Sequence, residues 1–505
     1  MDDVTDRTER TRLVGLCSMP EVAVVNDIAA RHHMRVLLVG GAVRDALLNK
    51  PVHDLDFAVL GNSVRLARTV ANQLDAAFYL MDAERGTARV IVSHKGRSAP
   101  ALNMDFAVRR GATWEEDLMG RDYSLNAIAV DETGAILDPS GGRTDLTAGV
   151  IRQVTPHAIS DDPVRAMRAV RMEHALCMRM EPETERAVRS ATASLHIPSP
   201  ERVRDELMKM LALPNAAQAI RRLDGLGLLR ELIPEMEPLR VCTQTAPHQF
   251  PVLEHTFVVL DYLDDILRFI VSDETSAPEW LSELTMAPGH RASLQRQLIT
   301  ETSNERTRIA ILRLAALLHD IAKPANRSVG DDGRVHFYGH EEDGSVVAAA
   351  RGRTLKLSAD EVAQIRTTVA HHMRPNQMSR DGNAADITTR AIYRYINTTS
   401  ECAPEIALFC IADGMGKAGA ASASQDYTRR AKISALLIKA YYDRFGPDAA
   451  PRPLITGNDV IGLGVQQGHQ IGAILSAVRE AQMVGEIDSY EAAIAIAKGL
   501  IEKGE

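Results

Sequence analysis

Two carboxylates at alternate positions, Asp54 and Asp56 in His53-Asp54-Leu55-Asp56-Phe57, follow a Gly40-Gly41 pair and Arg44. In an extended segment both side chains leave the same face, and adjacent carboxylates repel each other unless a cation sits between them. Hard oxygen donors of this kind suit Mg²⁺, which keeps part of its water shell and contacts substrate phosphates. A glycine turn feeding a helix exposes backbone N–H groups to an anion, and Arg44 on the first turn adds a charge-assisted contact. The chemistry is a phosphate group held beside a metal.

Two further sets carry chemistry. Asp162, Arg165 and Arg168 recur every three positions, so on a helix they share one face. His319-Asp320 closes an apolar helical run, with His255 upstream and His340, His371, His372 and Asp413 downstream. Mixed imidazole and carboxylate donors suit a divalent transition metal such as nickel, manganese, iron or cobalt.

The elements that must position these groups differ along the chain. Between about 35 and 155, the runs Val36–Val39, Asp56–Val59, Ala88–Val92, Leu102–Val108, Ala127–Asp131 and Ile151–Val154 alternate with helical patterns, which predicts an α/β domain with a mixed sheet. Beyond it apolar residues recur at three- and four-residue spacing, which predicts an all-α remainder. Ser199-Pro200 reads as the start of a helix, residues 272–306 as a loop or excursion, and Asp331-Asp332-Gly333 as a hairpin turn. Gly446-Pro447 and Pro451-Arg452-Pro453 mark a further boundary.

At 505 residues the chain exceeds one hydrophobic core, so three or four domains are expected. The formal charge of −9 gives no overall attraction to nucleic acid, but leaves room for a local basic surface. Five cysteines without a C-x-x-C pair argue against a disulfide framework or zinc ribbon and fit a reducing cytoplasm. The acidic amino terminus has no apolar signal core and no later run reads as a membrane span, so no membrane partner is expected.

The combination G-G-A-V-R-D-A-L-L at 40–48 and H-D-L-D-F at 53–57 resembles the signature of class II tRNA nucleotidyltransferases and bacterial poly(A) polymerases, within the DNA polymerase β-like superfamily. The resemblance implies that Asp54 and Asp56 bind catalytic Mg²⁺, with Asp105 as third carboxylate, and that Gly41 and Arg44 contact the triphosphate. Later motifs follow in order. Arg121-Asp122-Tyr123-Ser124-Leu125-Asn126-Ala127 resembles the family's ribose-selecting R-R-D-F-T-I-N-A, with Gly120 in place of the first arginine. Asp138–Leu146 resembles the turn to a helical neck, and Asp161–Arg171 resembles the base-selecting helix, which implies roles for Asp162 and Arg165, with Arg168 supporting the nucleotide. Glu201–Leu207 resembles the family's E-R-x-x-x-E-L.

The series His255, His319-Asp320, His340, His371-His372 and Asp413 resembles the HD phosphohydrolase superfamily. This implies a core metal site of His255, His319, Asp320 and Asp413, while His340 and either His371 or His372 could hold a second ion. The segment from Pro453 resembles the family's C-terminal L-T-G-x-D-L-x-x-L-G, where Asp459 is read as a helix cap. The implied organisation is a nucleotidyltransferase head at 1–158, a helical nucleotide- and RNA-binding neck and body at 159–240, an HD domain at 241–445 and a helical tail at 446–505. The implied function is addition of CMP and AMP from CTP and ATP to the tRNA 3′ end. Alternatives are a poly(A) polymerase, a C-only or A-only adding enzyme, and an HD-type nucleotide or cyclic-phosphate hydrolase with an RNA-binding head.

Overall fold

The computed structural model describes residues 2–93, 101–272, 281, 284–303, 306–378, 384–418 and 424–503. Its contacts divide into two compact units, Met1–Pro198 and Ser199–Glu505.

A seven-stranded sheet organises the first unit: β1 (Arg35–Val39), β2 (Asp54–Leu60), β3 (Ala77–Asp82), β4 (Thr87–Val92), β5 (Leu102–Val108), β6 (Ala129–Val130) and β7 (Ile136–Leu137), in the order β3-β4-β5-β2-β1-β6-β7. β2 and β5 run parallel and the other pairs antiparallel, so the sheet is mixed as expected. The run at Ile151 lies outside it, in a short parallel pair of Val150–Ile151 with Arg179–Met180. β3 escapes a periodicity reading because it is an edge strand: Tyr79, Leu80 and Met81 are all exposed, so no face alternates.

Register on β2 and β5 decides the site. Phe57 and Phe106 are partners across the pair, both buried, with rings stacked 4.9 Å apart and 12° from parallel. Because successive side chains alternate, Asp56 and Asp105, the residues before each ring, are brought opposite one another on the other face. A one-residue slip would put carboxylates in the core. Helix Ser63–Leu74 packs on β4 and β5 through Leu66, Ala67, Val70 and Ala71. It starts where the Asn62 side chain accepts the Arg65 N–H at 2.9 Å.

The described part of the second unit is helical apart from two short hairpins. Pro200 opens helix Pro200–Leu211 as read, although the Ser199 hydroxyl makes no capping bond. Ser328–Val329 pairs with Val335–His336 around the expected turn, where Gly333 takes φ 75°. The loop expected over 272–306 is corrected: its described residues hold helix Pro288–Ile299 and a hairpin of Glu301–Ser303 with Arg306–Thr307. Residues 273–280, 282–283 and 304–305 of that stretch lie outside the described residues. The helix has no apolar stripe to read, since it buries only Leu294 and Leu298. It is tied instead by Gln295 Nε2 donating to Val271 O at 2.8 Å and by Arg291 donating to Ser272 O at 3.0 Å.

After the proline-rich break, helices Gly457–Gly462, His469–Val484 and Tyr490–Lys503 enclose their own apolar cluster around Val460, Ile474, Val478 and Ala497. Asp459 accepts from the Thr456 N–H at 2.7 Å and closes a capping box, as read. The five cysteines are free thiols. Among the described residues no single helix is long and apolar enough to cross a membrane.

Candidate functional site

In the first unit, Asp54 stands at the exposed start of β2 and accepts from Asn103 Nδ2 at 2.9 Å. Asp56 follows two residues on, opposite Asp105. Asp105 is also the partner of Arg89 across β4–β5, and Arg89 donates to both of its oxygens at 2.8 Å. Burial, with the like charges of Asp105 and Asp54, pushes the Asp56 carboxyl up to about 6 despite Arg121 and Arg89 nearby. Three crowded carboxylates, one of them strained toward protonation, form a donor set that fits a hard divalent cation.

The glycine turn closes over this cluster. Gly40 takes φ 75° and ψ −136°, and a Cβ there would meet Asp56 Oδ2 at 3.2 Å and Arg121 Nη1 at 3.3 Å, so glycine lets the backbone approach. Gly41 begins helix Gly41–Leu47, one turn of which brings Arg44 back over it. Arg44 donates to both Asp45 oxygens at 2.8 and 2.9 Å and to Asn126 Oδ1 at 2.7 Å.

From Asn126 a buried network continues. Asn126 Nδ2 donates to Asp122 Oδ1 at 3.0 Å, the Tyr123 N–H to the same oxygen at 2.8 Å, and Arg168 Nη1 to Asp122 Oδ2 at 2.8 Å. Burial works against charge on Asp122, but the Arg168 guanidinium and these donors overcome it and hold the carboxyl at about 2. Asp122 is therefore a hub, and Arg121, which donates to Asp117 Oδ2 at 3.2 Å, is the member of the pair beside Asp56. Arg165 donates to the carbonyls of Arg121, Ala158 and Gly120, each at 3.1 Å, with Asp162 at 3.8 Å.

The second unit brings the other group together from five helices. His255 lies in the first turn of Val252–Val271, His319 and Asp320 follow Arg308–Leu318, and His340 opens His340–Thr354. His372 follows Ala359–His371, and Asp413 lies in Ala403–Ala418. Helix Ala359–His371 is set by a capping box in which Glu361 also receives Arg306 at 2.7 and 3.0 Å. A Cβ on Gly416 would overlap Val259, and this close approach lets Gly416 O accept from His255 Nδ1 at 3.1 Å.

The other imidazoles follow the same plan: the Nδ1 atoms of His319, His340 and His372 donate to Ala316 O, Phe337 O and Val369 O at 2.7–2.8 Å. A carbonyl only accepts, so each Nδ1 carries the proton and each Nε2 turns a lone pair inward. Nε2 of His255, His319 and His340 are buried without a hydrogen-bond partner. His255 Nε2 faces Asp413 Oδ1 at 3.3 Å, and His319 and His340 Nε2 face Asp320 oxygens at 3.0 and 3.4 Å. Lone pairs turned on carboxylates are reconciled by a cation between them. Two overlapping sets, His255/His319/Asp413 and His319/Asp320/His372, have ligand atoms within 4.8 Å of one another. Lys323, 2.7 Å from Asp320 Oδ2, and Lys417, 2.8 Å from Asp413 Oδ2, put positive charge beside both buried carboxylates. His372, whose ring is 5.2 Å from His319, joins the cluster. His371 does not, because one helical residue turns the side chain by about 100°.

Sequence reasoning missed Arg89, Asn103 and Asp45. Arg89 had no local signal, since only β4–β5 pairing sets it against Asp105. Asn126 stood inside a quoted motif, but its link from Arg44 to Asp122 is tertiary.

Comparison with known proteins agrees with this geometry. Residues 36–152 match the poly A polymerase head domain, 177–239 the probable RNA and SrmB-binding site of polymerase A, and 290–413 the HD domain. The A-adding tRNA nucleotidyltransferase of Deinococcus radiodurans is 32% identical over 475 residues, 92% of this chain and 95% of that protein. The CC-adding tRNA nucleotidyltransferase of Thermus thermophilus is 28% identical over 90% of this chain and 91% of that one. A CCA-adding enzyme solved with CTP shares the fold, with a TM-score of 0.59 at 20% identity over 98% of both chains.

Proposed function

The chain belongs to the tRNA nucleotidyltransferase and poly(A) polymerase family, and from that premise we propose that it transfers CMP and AMP from CTP and ATP to the 3′ end of tRNA, releasing pyrophosphate. The observation that carries this reading is Asp54 and Asp56 on one face of β2 with Asp105 opposite Asp56, beneath the Gly40 turn.

In the reaction the RNA 3′-hydroxyl attacks the α-phosphorus, a new P–O bond forms, and the bond to pyrophosphate breaks. Asp54, Asp56 and Asp105 would hold Mg²⁺, which when bound neutralises charge on the attacking and leaving oxygens. Arg44, aimed by Asp45 and Asn126, and Gly41 receive the triphosphate, and Arg121 offsets the negative charge next to Asp56. Asp122 acts as a positioning residue that sets Asn126 and Arg168. Asp162 and Arg165 select the base, and Arg165 exchanges its backbone carbonyls for a base edge to do so. The four-part organisation at 1–158, 159–240, 241–445 and 446–505 and a cytoplasmic location belong to the same reading.

A second activity is favoured by the inward Nε2 lone pairs of His255, His319 and His340. With Asp320, Asp413 and His372 they would hold divalent transition metal ions, which supply an activated water for phosphoester hydrolysis. The named relatives also favour a narrower transferase, adding A alone or C alone. Purified protein incubated with tRNAs ending before CCA, after C and after CC, with CTP and ATP separately and together, separates these outcomes by product length. Long A tails would mark a poly(A) polymerase, and no incorporation with Mg²⁺ would overturn the transferase reading.

A further inference from the structure

The transfer step leaves Asp117 unused, yet this carboxylate is only 4% exposed on the short helix Trp114–Met119. A buried charge needs partners. Leu118 beside it packs into the core with Leu37 and Val39 of β1 and Ala58 of β2, and the Arg110 N–H donates to Asp117 Oδ1 at 2.7 Å. One oxygen is thereby committed to the backbone. The other, Oδ2, accepts from Arg121 Nη2 at 3.2 Å.

Arg121 reaches from that carboxylate to the glycine turn. A Cβ on Gly40 would lie 3.3 Å from Arg121 Nη1 and 3.2 Å from Asp56 Oδ2, so both groups flank one point of the turn. Among the described residues the Arg121 side chain hydrogen-bonds only Asp117, which leaves Nη1 without a hydrogen-bond partner. An arginine side chain is long and flexible, and a guanidinium with no anchor falls onto the nearest carboxylate. Here that carboxylate is Asp56, and pairing with it would take an oxygen that the transfer step needs. Asp117, buried and with one oxygen bonded to the backbone, is a stiff anchor against that collapse.

A guanidinium carries donors at both ends of a rigid fork, so one end can be tied down while the other binds. We propose that Asp117 is a positioning residue for nucleotide transfer: it ties down Arg121 Nη2 so that Nη1 is presented across the Gly40 turn to a triphosphate oxygen instead of closing on Asp56. This rests on the transferase reading.

The test is steady-state incorporation by the full-length protein on tRNA lacking its last nucleotides. Asp117→Asn keeps an acceptor for the Arg110 N–H and removes the charge that holds Arg121. Its KM for CTP and ATP rises about 10- to 100-fold, the scale of one charge-assisted hydrogen bond, while KM for tRNA stays as in the wild type. Arg121→Lys has a single terminal nitrogen, which cannot serve Asp117 and a nucleotide in the same geometry, and it raises the nucleotide KM to the same extent. The double variant is no worse than either single one, because both break the same device. A tRNA KM that rises with the nucleotide KM, an unchanged nucleotide KM in either single variant, or effects that multiply in the double variant overturn the positioning role and leave the transferase reading standing. Arg121→Lys decides the matter by itself where Asp117→Asn fails to fold. No incorporation by the wild type overturns the transferase reading, and the positioning role with it.

Discussion

Asp56 and Asp105 face each other across the parallel β2–β5 pair, held there by the stacked Phe57 and Phe106 one residue further along each strand. Arg89 occupies the far side of Asp105 with two 2.8 Å bonds, so the negative charge of the cluster is concentrated toward Asp54 and Asp56. Five expectations follow from this site and its counterpart.

Removing the paired carboxylates in Asp54→Ala/Asp56→Ala abolishes CMP and AMP incorporation. A loss of at least about 10²- to 10³-fold in kcat is expected, the scale of losing one preorganised electrostatic element. Gel-shift binding of tRNA persists. Full activity in this variant would falsify the assignment of the head.

Gly40→Ala forces a side chain into φ 75° and ψ −136° against Asp56 and Arg121. The strain costs about 1–3 kcal/mol. Calorimetry should show a lower unfolding temperature for the first unit, and incorporation should fall in parallel; an unshifted transition counts against a built turn.

Gly120 takes the position of the first arginine in the R-R-D-F-T-I-N-A motif that this segment resembles, and it caps helix Trp114–Met119 in the right-handed region. A Cβ there meets only the carbonyls of Asp117 and Glu116 at 3.5 Å, ordinary contact distance. Gly120→Arg therefore folds normally and lowers KM for CTP and ATP about fivefold, the value of one half-exposed charged contact near 1 kcal/mol. Steady-state kinetics on tRNA lacking its last nucleotides measures it.

Asp122 is held at about 2 against an ordinary 3.8 by Arg168 and its other donors. A folded-state pKa below the unfolded one gives stability that is complete above about pH 4 and lost as pH falls through about 2. The shift is worth about 2 kcal/mol at neutral pH. Asp122→Asn should be less stable than wild type by that amount at pH 7, with the gap closing toward pH 2–3, as read by chemical denaturation of the first unit. A gap independent of pH would contradict the ion-pair account.

His319→Ala/Asp320→Ala removes a ligand common to both overlapping sets. Plasma mass spectrometry after loading with cobalt or nickel should show loss of bound metal, and phosphodiesterase activity should vanish, while tRNA extension by the head continues. Wild-type metal content in the variant would sink the metal centre.

The pattern of the chain was enough to determine the α/β head and helical remainder, because β-branched runs and 3.6-residue periodicity report which faces need burial. Alternation alone placed Asp54 and Asp56 on one face, whereas the helical face expected for Asp162, Arg165 and Arg168 is corrected: Asp162 is extended ahead of helix Val164–Ala175, and Arg168 pairs with Asp122. What spacing cannot carry is anything built between distant segments. Strand pairing set Asp105 against Asp56 and Arg89 against Asp105, and a hydrogen-bond chain from Arg44 to Arg168 turned Asp122 into a buried hub. The same holds for the histidines: their order was visible, but only five packed helices and their backbone carbonyls chose His372 over His371 and pointed the Nε2 lone pairs inward. Local sequence encodes which face a side chain takes; tertiary packing decides what stands across from it.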